Sequence, residues 1–286
     1  MRFRTEIERR KAAFAIEHTT PLLFLGSCFS DEIGTKLADD GFNVLHNPMG
    51  PLYNPASISN SLDFACSRRT YTETELTRGP RGFHCLDYST RYSGFQASEV
   101  LHTVNSGVAG IADFISLSPV VFLTLGTAYV YRIASTGRVA GNCHKFPADY
   151  FVRELLSVQQ ATNELNRAVG LLSAQGIRHI VFTVSPIRHT ADGLHGNNIS
   201  KSTLLLAVDA VVKQHPDLCS YFPSYEIVID DLRDYRFYAS DLKHPSDMAV
   251  DYIYEVFSDF YFSSITRQAA AESRKATLAA RHRSIL

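Results

Sequence analysis

Short apolar runs separated by segments with helical spacing organise this chain. The runs are nearly continuous rather than alternating, which is typical of strands buried on both faces of a parallel sheet. In the segments between them the apolar residues recur at helical spacing, most clearly in residues 151–174. The predicted strands are residues 22–25, 42–45, 120–125, 179–184 and 225–229, and the predicted helices are residues 30–40, 55–65, 107–115, 151–174, 200–214 and 246–260.

Alternating strands and helices predict right-handed βαβ crossovers. The fold class that follows is an α/β three-layer αβα sandwich with a central parallel five-stranded sheet. We expect one domain over residues 1–286, with its core at about residues 20–260. Residues 67–105 are less regular and predict an insertion or lid, and residues 264–286 have the composition of a helical tail.

Composition restricts the possible ligands. The chain has 286 residues, of which 45% are hydrophobic and 20% charged, with a formal net charge of −1. This describes a globular protein with enough mass for one large core. Near-neutral charge predicts no nucleic-acid partner and no polybasic membrane contact, so a small-molecule ligand is expected.

The cysteines and the apolar segments indicate a compartment. Five widely spaced cysteines without a C-x-x-C pair argue against a disulfide framework or a zinc cage, and favour reduced thiols. The first eight residues alternate in charge and lack the apolar core of a secretory signal. No apolar stretch approaches the roughly 18–20 residues that a membrane span needs. We therefore expect a cytoplasmic protein.

Neither a metal nor a cofactor is predicted. The eleven histidines show no standard metal-ligand spacing. The chain also has no P-loop and no Gly-x-Gly-x-x-Gly, which disfavours nucleotide cofactors.

Polar residues follow the predicted strands where such folds bind ligands, at the carboxyl ends of the strands. Ser27 and Cys28 follow the first strand, Gly126 and Thr127 follow the third, and residues 185–188 follow the fourth. The loop at residues 241–246 comes after the last predicted strand. We expect these loops to meet at one edge of the sheet.

Asp241 and His244 are the strongest candidates for chemistry. A carboxylate can orient an imidazole so that its other nitrogen takes a proton from a nucleophile. Cys28 is the preferred nucleophile, because a helix N-terminus and a nearby protonated histidine favour its thiolate. Ser27 is the competitor. Structural alternatives remain open: a helix-entry turn for the Asp-His pair, a packing role for Cys28 and a capping role for Ser27.

The sequence motifs resemble those of a known family. Phe24-Leu-Gly-Ser-Cys-Phe-Ser, Asn47-Pro-Met-Gly-Pro-Leu-Tyr-Asn-Pro and the block at residues 241–246 are similar to motifs of the GSCFA family. Further matches lie at residues 123–131, 142–145 and 184–189. That family is distantly similar to SGNH (GDSL-type) esterases and lipases, so the resemblance implies an SGNH- or flavodoxin-like fold.

The resemblance also implies roles for individual residues. Asp241 and His244 match the Asp-x-x-His block of SGNH enzymes, and Gly50 is the counterpart of their oxyanion glycine. Two departures stand out. Cys28 occupies the place of the nucleophilic serine, and the Gly-x-Asn block reads Gly126-Thr127-Ala, without asparagine.

Two further loops carry candidate binding residues. Asn142 or the hydroxyl of Thr127 could replace the missing oxyanion donor, and His144 lies in the same loop as Asn142. Arg188 and His189 could anchor a carboxylate or phosphate. For Asn142 and His144 the alternative is a polar loop with a packed Cys143. For Arg188 and His189 the alternative is a loop charge that faces solvent. Residues 190–201 are predicted to cap the pocket.

The sequence thus predicts an SGNH-like esterase or acyltransferase, a hydrolase-type enzyme without a cofactor that acts on a small-molecule ester or thioester. The alternative is a catalytically inactive small-molecule-binding protein that retains the fold. The residues distinguish neither hydrolysis from transfer nor one oligomeric state from another.

Overall fold

A parallel five-stranded sheet forms the centre of the protein in a computed structural model that describes residues 4–79 and 82–283. Pro80 and Arg81, which belong to the predicted insertion, lie outside this description. So do residues 1–3, within the N-terminal segment judged not to be a signal, and residues 284–286 of the predicted tail.

Strands and helices alternate along most of the chain. The strands are Leu22–Gly26 (β1), Val44–His46 (β2), Thr77–Gly79 (β3), Gly82–His84 (β4), Ser93–Gly94 (β5), Val120–Leu125 (β6), Tyr129–Ile133 (β7), Val139–Ala140 (β8), Phe151–Leu155 (β9), Ile180–Val184 (β10) and Cys219–Tyr221 (β11). The helices are Phe29–Asp39 (α1), Pro55–Cys66 (α2), Ala97–Ile115 (α3), Val158–Ala174 (α4), Gly193–Gln214 (α5), Ser224–Glu226 (α6, continued by a π-helix at Ile227–Leu232), Asp247–Tyr261 (α7) and Ser264–Arg283 (α8).

The central sheet has the spatial order β2-β1-β6-β10-β11, and all its neighbouring strands are parallel. Counted along the chain this is the flavodoxin-like order 2-1-3-4-5. Thr124 pairs with Gly26 on one side and with Thr183 on the other, so the carboxyl ends of the three middle strands lie level. The predicted fold class is confirmed.

The middle strands are buried on both faces. Every residue of β1, β6 and β10 is buried, and alternate side chains enter opposite cores. Leu23, Leu123 and Phe182 pack in the core formed with α2 to α5. Phe24 and Phe122 stack at 4.4 Å in the core formed with α1, α7 and α8. Each such side chain contributes roughly 1.5–3 kcal/mol on burial, which fixes the middle of the sheet.

The strand predicted at residues 225–229 is wrong. The fifth strand is β11, and residues 224–232 form α6 and its π-helical continuation. Ile227 and Val228 are buried in the core on the α7 side, so the apolar run that suggested a strand is the inner face of a helix.

The helix predicted over residues 151–174 is wrong in its first part. Phe151–Leu155 is β9, which pairs antiparallel with β7 in a second sheet of order β8-β7-β9. The helix begins only at Val158, where the Ser157 hydroxyl accepts from the Gln160 amide (3.2 Å) and caps its first turn. Two other helices are longer than predicted and begin at Ala97 and Gly193.

The predicted insertion contributes to the core. It contains β3, β4 and β5 and the first residues of α3, and its Tyr88 and Tyr92 are buried. The C-terminal helix α8 packs on α1, where Arg274 binds the Asp40 carboxylate at 2.5 and 2.8 Å. None of the helices in the described part of the chain is both long and apolar enough to cross a membrane.

Candidate functional site

Cys28 lies at the carboxyl end of β1, immediately before the first turn of α1. Gly26 makes the turn with φ +140°, and a Cβ there would lie 2.0 Å from the carbonyl oxygen of Thr124. Asn47 holds the same turn, since its Oδ1 accepts from the Gly26 amide (2.9 Å) and its Nδ2 donates to the Ser27 carbonyl (3.1 Å). The strand order reverses between β1 and β6, so Cys28 lies at the topological switch point where open α/β sheets bind ligands.

His244 reaches Cys28 from the other end of the chain. Its Nε2 lies 3.8 Å from the Cys28 Sγ, and its Nδ1 lies 2.5 Å from Oδ2 of Asp241. The loop that leads into α7 holds this pair. The His244 carbonyl accepts from the Ala239 amide (2.8 Å), and Oδ1 of Asp241 accepts from the His244 amide (3.0 Å).

The hydrogen bonds of Asp241 determine which imidazole nitrogen carries the proton. The amide and ring of His244, together with the Lys243 amide, hold the pKa of the Asp241 carboxyl well below its usual range. An ionised carboxylate only accepts hydrogen bonds, so Nδ1 of His244 carries the proton. In the neutral ring the lone pair is then on Nε2, which faces the Cys28 thiol, the arrangement that a general base needs.

The surroundings of Cys28 favour the thiol over the thiolate. Burial raises the pKa of the thiol above its usual value, and the nearby Asp31 carboxylate raises it further. The sequence suggested a lowered pKa for this thiol, whereas burial and Asp31 give it a raised one. A nucleophilic Cys28 would need His244 to remove its proton during the reaction.

Ser27 is fully buried, and its Oγ accepts from the Phe29 amide (3.3 Å). Within residues 4–79 and 82–283 its hydroxyl has no hydrogen bond to His244. Adjacent side chains diverge at this turn, and the structure brings Cys28 rather than Ser27 to the imidazole.

The Gly50 amide is not free to donate a hydrogen bond to a ligand. It donates to the Asn47 carbonyl at 2.8 Å, inside a turn where Gly50 has φ +83°. The Cys28 amide differs, since it has no acceptor oxygen among the residues that the structure describes. It points from the N-terminus of α1, where backbone amides lack helical partners.

Gly126 and Thr127 are also engaged within the fold. Both amides donate to the Tyr53 carbonyl, at 2.8 and 2.9 Å. The Thr127 hydroxyl lies 2.9 Å from that of Ser200. Thr127 lines the cavity beside Cys28, but its hydrogen bonds hold the loop after β6 in place.

A cavity of about 400 Å³ opens beside Cys28 and His244. A larger one, of about 610 Å³, lies between α7 and α8 and contains neither residue. In the described part of the chain, no group of three or more His, Cys, Asp or Glu side chains is arranged to hold a metal ion. Side chains on the wall of the first cavity include Tyr53, Tyr129, Tyr131, Arg153, Arg188 and His189.

Tyr53 and Arg153 were not predicted as site residues. Burial and the neighbouring Cys28 thiol raise the pKa of Tyr53 to about 12, and Tyr53 lines the same cavity as Cys28. Arg153 lies over the Tyr129 ring at 4.3 Å and pairs with Asp192 at 2.6 Å. Tyr53 belongs to the motif at residues 47–55, so that motif could have identified it as a site residue. Arg153 was missed because residues 151–174 were predicted to form one helix.

Lys201 is another residue near the site that was not predicted. It is 2% exposed, and its Nζ donates to the carbonyls of Gly126 and Ser185, both at 2.6 Å. It thereby ties together the loops after β6 and β10, and burial lowers its pKa to about 7. A signal existed in the sequence, because Lys201 shares a helix face with Leu204 and Val208, which are buried.

Arg188 and His189 both line the cavity with Cys28, as their position after a strand predicted. The Arg188 guanidinium donates to the hydroxyls of Tyr235 (3.3 Å) and Tyr238 (3.1 Å). Burial lowers the pKa of His189 to about 4, so its ring is neutral at physiological pH. Residues 190–192 form a short turn beside the cavity, and most of the predicted capping loop belongs to α5.

Asn142 and His144 are placed elsewhere. Oδ1 of Asn142 accepts from the His144 amide at 2.9 Å. The His144 ring is 2% exposed, with Nε2 at 2.8 Å from the Tyr88 carbonyl and Nδ1 at 3.1 Å from Nδ1 of His84. Neither residue lines the cavity beside Cys28.

Comparison with known families supports the resemblance read from the motifs. The family model for the GSCFA family matches residues 21–257, which include both Cys28 and His244. The resemblance predicted from the sequence is confirmed. No curated protein and no solved structure matches the chain.

Proposed function

The chain belongs to the GSCFA family, and from the geometry of its site we propose that it acts on the acyl group of an ester or thioester. In this proposal Cys28 is the nucleophile, His244 the general base and Asp241 the carboxylate that orients the base. The observation that carries it is the chain of contacts from Sγ to Nε2 (3.8 Å) and from Nδ1 to the carboxylate (2.5 Å). The distant similarity of the family to SGNH hydrolases is consistent with this chemistry.

Acylation begins when Nε2 of His244 takes the proton of the Cys28 thiol as the sulfur attacks the acyl carbonyl. The new S–C bond forms a tetrahedral intermediate with an oxyanion. When the intermediate collapses, the bond to the leaving alcohol or thiol breaks, and Nε2 returns its proton to that group. The product is an acyl group bound to Cys28 as a thioester.

The oxyanion needs hydrogen-bond donors, and we assign two. Among the described residues the Cys28 amide has no acceptor oxygen, and Tyr53 lines the cavity beside the thiol. Since the pKa of Tyr53 is raised to about 12, the phenol keeps its proton and can donate. Tyrosine hydroxyls serve in such holes, and each donor typically contributes about 10²–10³ in rate. Tyr53 would thus replace the missing asparagine.

Lys201 has a positioning role in this proposal. Its ammonium group holds the carbonyls of Gly126 and Ser185, at the ends of two strands that border the site. In its protonated form Lys201 also favours the thiolate of Cys28, opposing the effect of Asp31 on the pKa of the thiol. Lys201 acts through the loops and the field rather than by touching the substrate.

The second half of the reaction removes the acyl group. A water molecule, or an acceptor with a hydroxyl, thiol or amine, gives its proton to Nε2 and attacks the thioester carbonyl. The S–C bond then breaks and the thiol is regenerated with the proton from His244. Water gives hydrolysis, and an acceptor gives acyl transfer.

A second candidate is a binding protein that has lost catalysis. The amides of Gly50, Gly126 and Thr127 are all engaged within the fold, and the pKa of the Cys28 thiol is raised. Both observations fit a pocket that holds a ligand without turning it over.

Labelling with an activated acyl probe distinguishes the two candidates. We expect the wild type to form a covalent adduct at Cys28, detected by intact mass and peptide mapping. Labelling should disappear in Cys28→Ala, fall strongly in His244→Ala, and survive in Ser27→Ala, the adjacent control.

Each other result has a clear meaning. Loss of labelling only in Ser27→Ala would move the nucleophile to the serine. A wild-type protein that binds the probe without reacting would favour the binding protein.

The location proposed for the protein is the cytoplasm. All five cysteines are free, and Cys28 must stay reduced to act as a nucleophile. A reducing compartment supplies that condition.

A further inference from the structure

The wall of the cavity beside Cys28 carries positive charge. Apart from two histidines, its charged side chains are Arg153, Arg188 and Lys243, and no carboxylate belongs to the described wall. Arg153 is neutralised by Asp192, which it contacts with both terminal nitrogens. The charges of Arg188 and Lys243 remain.

Arg188 is held in place without being neutralised. Its terminal nitrogens donate to the hydroxyls of Tyr235 and Tyr238, and its guanidinium lies 5.2 and 4.4 Å from the centres of their rings. Neutral phenols and ring faces orient the cation but leave its charge available. No carboxylate in the described part of the chain forms an ion pair with it.

Lys243 lies next to Arg188 because their loops are joined. The Arg188 amide donates to the Lys243 carbonyl at 3.2 Å. Lys243 immediately precedes His244, and its ammonium group has no ion pair among residues 4–79 and 82–283. The acid nearest in sequence, Asp241, directs its carboxylate to the His244 ring and to two backbone amides.

We propose that Arg188 and Lys243 bind an anionic group of the substrate, a carboxylate or a phosphate, while the acyl carbonyl lies against Cys28. This inference rests on the proposed function, because it names the substrate class of the same site. Guanidinium groups make strong charge-assisted hydrogen bonds to both kinds of anion. A cationic cavity also concentrates anions near the nucleophile.

Alkylation of Cys28 tests the anion site without requiring turnover. Iodoacetate and iodoacetamide differ by one negative charge, and peptide mass spectrometry reports the rate at Cys28 alone. The quantity measured is the ratio of the two rates, normalised to the same ratio for a free thiol such as N-acetylcysteine. A charge-assisted hydrogen bond predicts a ratio roughly tenfold higher in the wild type than in Arg188→Gln.

Two further variants make the result specific. Lys243→Gln should lower the ratio by a smaller factor, since Lys243 is exposed and water screens its charge. Arg236→Gln, an exposed arginine in the neighbouring turn, is the matched control and should leave the ratio at the wild-type value. A wild-type ratio equal to that of the free thiol, or an equal fall in Arg236→Gln and Arg188→Gln, would overturn the anion site.

A pair of esters separates this inference from the proposed function. We expect mono-4-nitrophenyl glutarate to be cleaved with roughly tenfold higher kcat/KM than 4-nitrophenyl butyrate, which lacks the carboxylate. Equal cleavage of both would overturn the anion site and leave the acyl chemistry standing. If neither ester is cleaved while the alkylation ratio is raised, the acyl chemistry fails and the anion site stands.

The two anions can be told apart by competition. Acetate and inorganic phosphate are added separately during alkylation by iodoacetate. A greater slowing at equal concentration by acetate identifies a carboxylate site, and by phosphate a phosphate site. Arg188→Gln should show little slowing by either.

Discussion

His244 and His144 both lie in polar loops that sequence reasoning linked to one site, yet their rings occupy opposite surroundings. The His144 ring is buried, and its two nitrogens face the Tyr88 carbonyl and the His84 ring. The His244 ring is about half exposed, with 48% of its side chain accessible. One of its nitrogens faces Asp241, and the other faces a thiol beside an open cavity.

The difference shows how a histidine held inside the fold differs from one that remains accessible. A buried ring must find partners for its nitrogens, because an unpaired buried polar group costs about 1–3 kcal/mol. His144 satisfies that requirement within the fold, so its chemistry is used for stability. Nε2 of His244 faces Cys28 beside an open cavity, so the fold leaves its chemistry available.

Replacing each histidine by alanine should affect a different quantity: turnover for His244 and stability for His144. These are the largest effects we expect. His244→Ala should lower turnover of an activated ester by up to about 10⁴-fold, because the general base is lost. His144→Ala should lower the free energy of unfolding by about 1–3 kcal/mol while turnover is retained. Kinetics with 4-nitrophenyl esters and urea unfolding of both variants measure the two quantities. A His144→Ala variant that folds normally but loses turnover would break the comparison.

Tyr53 and Tyr88 allow the same comparison between a cavity residue and a buried residue, and the expected effect is smaller. Tyr53→Phe removes the hydroxyl that we assign as an oxyanion donor in the cavity beside Cys28, so we expect kcat to fall about 10²-fold. Tyr88→Phe is the matched control, since Tyr88 is buried beside His144 and away from the cavity. The result that would remove Tyr53 from the mechanism is an unchanged kcat with a raised KM.

The fold could be predicted largely because its central strands are buried on both faces. The runs at β1, β6 and β10 contain little except apolar residues, which is the pattern expected of such strands. The edge strand β11 is three residues long and includes Ser220, so it gave no such signal. The stronger apolar run nearby belonged to a helix.

The contact between Cys28 and His244 could also be predicted from sequence, because Cys28 directly follows β1 and Asp241 and His244 match a family motif. The strand predicted before His244 is a helix, so the strand-end rule applies to Cys28 but not to His244. The remaining parts depended on tertiary contacts. Arg153 reaches the cavity only because β9 pairs with β7, and Phe151 and Leu155 also fit helical spacing. Whether the Gly50 amide is free depends on a single hydrogen bond to Asn47, which no local pattern reveals.

Lys201 is a buried ionisable group, and its comparison with the exposed Lys213 gives the smallest of the effects that we expect. Burial lowers its pKa from 10.5 to about 7, so between these values the unfolded chain binds more protons than the folded protein. Stability must therefore rise with pH across this window. Between pH 7.5 and 9.5 we expect the free energy of unfolding of the wild type to increase by about 2 kcal/mol relative to Lys201→Met.

Urea unfolding at a series of pH values measures this difference, and the subtraction removes groups common to both proteins. Lys213→Met is the matched control, because Lys213 lies on the same helix but is exposed and paired with Asp209. Its pH dependence should parallel that of the wild type. Parallel curves for the wild type and Lys201→Met would mean that Lys201 keeps its usual pKa. The ammonium group would then be a permanent charge under the site, and its hydrogen bonds to Gly126 and Ser185 would have to compensate for its full desolvation.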